Sequence, residues 1–148
     1  MNAAEYGATI GNLVNLARLQ QQLVYHEGKS PHNLCVIGFG RDLRRTGISV
    51  DEALHMLQND IARSIQDLAP RIHTFQAMGE IRRRVLIDMV VNMGITQFMD
   101  HGGLVDALQN SDWEQASRAI IDLSWDVLAC RVERLAEMMR SGEDVVLT

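Results

Sequence analysis

Glu27 lies in a His26-Glu27-Gly28 step, and an Ile37-Gly38-Phe39-Gly40-Arg41 turn follows it closely. An acid beside a glycine-rich turn suggests an active site. A carboxyl in a poorly solvated setting stays protonated near neutral pH and can then give up a proton. A glutamate just before a glycine also suits a solvent-facing helix end, so the chemistry rests on what surrounds it. Cys35 and Cys130 are far apart and show no Cys-x-x-Cys or Cys/His ligand spacing, so no metal site, no disulfide framework and no cofactor is expected.

The elements that must position Glu27 can be read from periodicity. Over residues 3 to 27, Ile10, Leu13, Val14, Leu16, Ala17, Leu23 and Val24 recur at helical spacing, which predicts a helix ending at Glu27. Between Gly28 and Gly47, turn residues surround one short apolar piece, Leu34 to Phe39, which reads as the strand. Ser49-Val-Asp-Glu52 is a capping box, and Ala53, Leu54, Leu57, Ile61, Ile65 and Leu68 then form a stripe that Pro70 ends.

A further helical pattern runs from about Met78 to Met93 and stops at Gly94, and its apolar C-terminal half marks it as the central core helix. Gly102 and Gly103 precede a short helix, and Ser111-Asp-Trp-Glu114 reads as a second capping box. The last helix is predicted from about Val127 to Arg140, with Gly142 as its stop. The expected fold is mainly α (α+β): an N-terminal helix, a small β-containing insert, and several packed helices.

With 148 residues the chain can bury one real core, and 47% hydrophobic content against 22% charged marks an ordinary globular protein. The net charge of −5 leaves no basic excess to neutralise a phosphate backbone, so nucleic acid is not an expected partner. The clusters Arg41, Arg44, Arg45 and Arg82, Arg83, Arg84 read as solvated faces. No apolar run is long enough for a membrane span and no export signal opens the chain, so the expected location is the cytoplasm in which it is made.

Taken in order, His26-Glu27-Gly28, the Ile37–Arg41 turn, GISVDEALHMLQNDI, RRRVLIDMVVNMG, SDWEQA with a later Trp125, and RVERLAEMMRSG resemble the phage-type lysozymes of glycoside hydrolase family 24. The resemblance runs from about Gln20 to Gly142. It implies a lysozyme-like two-lobed fold in a single domain over residues 1–148. Residues 1–18 would be an N-terminal helical extension, 19–48 a small lobe with a shortened β-hairpin, and 49–148 a connecting helix and helical lobe.

It also implies a muramidase that cleaves the β-1,4 bond between N-acetylmuramic acid and N-acetylglucosamine in peptidoglycan. Glu27 matches the family's general acid, which protonates the leaving oxygen. Arg131 matches the family arginine that pairs with that glutamate. Its other reading is a surface arginine with Glu133 and Glu137 as helical neighbours.

The chain departs from the family where the second side of the reaction is supplied. Aligned on the Ile37–Arg41 turn, part of the first strand and its tyrosine are missing. Ser30 then falls where an aspartate or cysteine belongs, and Val36 replaces the threonine that positions the attacking water. Serine without a nearby base is a poor nucleophile, and valine cannot hydrogen-bond. Asp42, His32 and Cys35 could substitute, and each has an ordinary reading as a turn residue, a loop residue and a small strand hydrophobe.

The expectation is a lysozyme-fold protein of phage or prophage origin, catalytically impaired, that acts in the host cytoplasm by binding a bacterial protein partner. The alternative is an active endolysin with peptidoglycan as substrate. A virion component built around residues 1–18 is a third reading, and no specific residue supports it.

Overall fold

The computed structural model describes residues 26–27, 35–37, 41–123 and 129–145. For residues 26, 27, 35, 36, 129 and 130 the description is of the backbone alone. Ser30, His32, Trp125 and the extension 1–18 lie outside the described residues. The chain divides into two compact units, Met1–Ala53 and Leu54–Thr148.

In the first unit three short strands, β1 (His26–Glu27), β2 (Cys35–Ile37) and β3 (Arg41–Asp42), form an antiparallel sheet in the order β1-β2-β3. The helix predicted over residues 3 to 27 therefore does not reach its expected end. His26 pairs with Val36 and Glu27 with Cys35, so cross-strand pairing outweighs the local helical periodicity there.

A single turn of helix, α1 (Leu43–Thr46), follows the sheet. Asp42 caps it by accepting from the Arg44 N–H at 3.0 Å, and Gly47, at φ 63°, closes it. The first capping box forms as read: Ser49 N–H donates to Glu52 Oε2 at 2.8 Å and Glu52 N–H to Ser49 Oγ at 3.2 Å. It opens α2 (Val50–Leu68), which ends before Pro70.

The second unit holds the rest of α2 and five further helices: α3 (Glu80–Met93), α4 (Ile95–Asp100), α5 (Gly102–Gln109), α6 (Trp113–Asp122) and α7 (Ala129–Ser141). The described residues are thus mainly helical. α3 is central, as its sequence predicts: Val85, Leu86 and Met89 are wholly buried, and Ile72, Phe75, Phe98, Leu108, Ile120 and Met139 close around them. Each such side chain contributes about 1.5–3 kcal/mol over leaving it in water.

α4 was not foreseen. Gly94 both terminates α3, its N–H donating to Val90 O, and precedes the new helix with φ 80°. The second capping box is replaced by a different cap. Ser111 takes a left-handed φ of 56°, and Asp112 accepts from the Gln115 N–H at 3.0 Å.

The α2 stripe also departs from its reading. Leu68 is buried, while Leu54, Leu57 and Ile65 are 52%, 45% and 38% exposed.

Side-chain contacts fix what the helices leave loose. Gln109 brackets the turn after α2: its Nε2 donates to Arg71 O at 2.7 Å and its Oε1 accepts from His73 N–H at 3.1 Å. The segment after α7 is held by Asp144, one oxygen to Arg84 at 3.1 Å and the other to Arg134 at 3.4 Å. Arg84 above all holds the Asp144 carboxyl below the usual aspartate range.

Candidate functional site

Glu27 enters the sheet at a defined register. Glu27, Cys35, Ile37 and Arg41 occupy one set of paired positions across the three strands, and His26, Val36 and Asp42 the alternate set. The backbone thus puts Glu27 on the strand beside the one carrying Val36. Of the proposed substitutes, Cys35 is the register partner of Glu27, and Asp42 is occupied as the cap of α1.

Arg41, the basic residue that closes the glycine-rich turn, is also engaged. Its Nη1 lies 2.6 Å from Glu52 Oε1 and 3.5 Å from Gly47 O. The hydrogen bond from Arg41, then that from the Ser49 N–H, holds the Glu52 carboxyl down at about 2. The capping glutamate of α2 therefore does two jobs. It satisfies the start of the helix and anchors Arg41.

In the second unit Arg131 on α7 donates to Asp88 Oδ1 on α3 in a charge-assisted hydrogen bond. Asn92 Nδ2 donates to the same carboxylate oxygen at 3.0 Å and to Asp88 O at 2.6 Å. The described partner of Arg131 is thus Asp88, rather than the helical neighbours Glu133 or Glu137. Both side chains are partly exposed, so the pair joins α3 to α7 at a modest energy.

An open, mostly apolar cleft of about 270 Å³ lies at the start of α5, lined by His101, Gly102, Gly103 and Leu104 on one side and by Gln115, Ala119, Asp122 and Leu123 on the other. The helix has no side-chain N-cap, and nothing stands within 4 Å of where a Cβ would lie on either glycine. Nε2 of His101 is shielded from solvent without a hydrogen-bond partner among the described residues. The N–H groups of Leu104 and Val105 both donate to His101 O at 3.0 Å, closing the first turn of the helix on its own backbone.

Sequence reading located the glycine pair as a helix start and missed the cavity. The signal was there in part: a helix opening on Gly-Gly without Ser, Thr, Asp or Asn before it leaves its first turn uncapped. Among the described residues no group of three His, Cys, Asp or Glu side chains is arranged to hold a metal ion, and no helix is long and apolar enough to cross a membrane. No protein-family model matches the chain, and no curated protein matches it.

Proposed function

We propose that this chain is a lysozyme-like, two-lobed protein of phage or prophage origin whose hydrolytic chemistry is impaired, and that it acts in the bacterial cytoplasm by binding a bacterial protein. The observation that carries this reading is the employment of the charged groups around the glycine-rich turn. A glycosidase needs a second group across the scissile bond from its acid. Among the described residues, Asp42 caps α1 and Glu52 holds Arg41, so both carboxylates are committed to the fold. Val36, at the family's water-positioning place, has no group that could hydrogen-bond.

The alternative reading is an active endolysin that uses Glu27 as its general acid.

Clearing of chloroform-treated Gram-negative cells by the purified protein and by Glu27→Gln separates the two. The binding reading expects equal, background-level clearing from both proteins, with a bacterial protein retained on the immobilised chain. Robust clearing by the native chain that is lost in Glu27→Gln would overturn it.

A further inference from the structure

We draw no further inference here: the strongest candidate, the apolar face of α2 formed by Leu54, Leu57 and Ile65 and continued by the groove at Phe75 and Ile87, is open among the described residues, and nothing in the structure shows what covers it.

Discussion

The guanidinium of Arg82 stacks over the indole of Trp113, 4.6 Å from the ring centroid, while its Nε donates to Met139 O at 2.8 Å and its Nη2 to Arg140 O at 3.1 Å. One side chain of α3 thus packs against the first residue of α6 and satisfies two carbonyls at the end of α7. Partial burial lowers its pKa, and a guanidinium in a protein stays charged. Replacing it with Lys keeps the charge and loses the planar fork. Arg82→Lys is expected to destabilise the fold by about 1–2 kcal/mol and Arg82→Ala by about 2–3 kcal/mol, read from urea unfolding. Equal stabilities for the native chain and Arg82→Ala would rule out this role.

Two glycines give a paired test of backbone strain against space. Gly94 and Gly142 both have a left-handed φ, 80° and 74°, but a Cβ at Gly94 would meet nothing within 4 Å, whereas one at Gly142 would lie 3.0 Å from the Arg82 guanidinium. Gly94, at φ 80° and ψ 156°, lies in a region essentially reserved to glycine, so Gly94→Ala should cost about 1–3 kcal/mol from conformation alone. Gly142→Ala should in addition disturb the Arg82 stack on Trp113, so its loss should be reduced in an Arg82→Ala background while that of Gly94→Ala is not. Thermal melts of the two variants in both backgrounds check this.

The ion pair between Glu52 and Arg41 predicts a defined acid response. The folded pKa of Glu52 is depressed from the ordinary 4.5 to about 2. Its stabilisation is therefore complete above the unfolded value and is lost as pH falls through the folded one. The difference in melting temperature between the native chain and Glu52→Gln should be constant near neutrality and shrink between about pH 4.5 and pH 2. A gap that widens on acidification would contradict the assignment.

Arg131 and Asp88 should couple measurably. In a double-mutant cycle with Arg131→Met and Asp88→Asn, the interaction energy is expected to be about 0.5–1 kcal/mol, in keeping with a partly exposed pair that shares its carboxylate with Asn92. No coupling would mean that the contact is incidental.

The proposed lysozyme-like reading makes Ser30 and Val36 the targets of a gain-of-function test. If Ser30 and Val36 are where the chemistry was lost, Ser30→Asp with Val36→Thr should raise the clearing of chloroform-treated cells above that of the native chain. Adding Glu27→Gln should abolish the gain. An unchanged double variant would count against the lysozyme-like reading of these two positions.

What could be read from the sequence was what is encoded locally. α3 was legible because its apolar residues repeat at helical spacing up to Gly94, and the Ser49–Glu52 cap because both partners lie within one turn. The β1 pairing, the Arg41–Glu52 bridge and the Arg131–Asp88 pair join residues that chain folding brings together, and local pattern does not encode them. Ser111 misled for a different reason. Ser111 and Asp112 are both good caps, and the left-handed turn at Ser111 passes that role to its neighbour. The cavity at α5 was hidden because its far wall comes from α6. For Glu27 the sequence supplied the candidate, and the fold supplies its strand and register.

The bracket that Gln109 forms around Arg71 and His73 sets an order in which the second unit should loosen. Amide-to-backbone bonds carry no net charge, so neither added salt nor acid weakens them directly. The hold on Asp144 is ionic and exposed on both sides. As salt rises or pH falls, the segment after α7 should lift first, and the turn after α2 should remain fastened until the helices themselves give way.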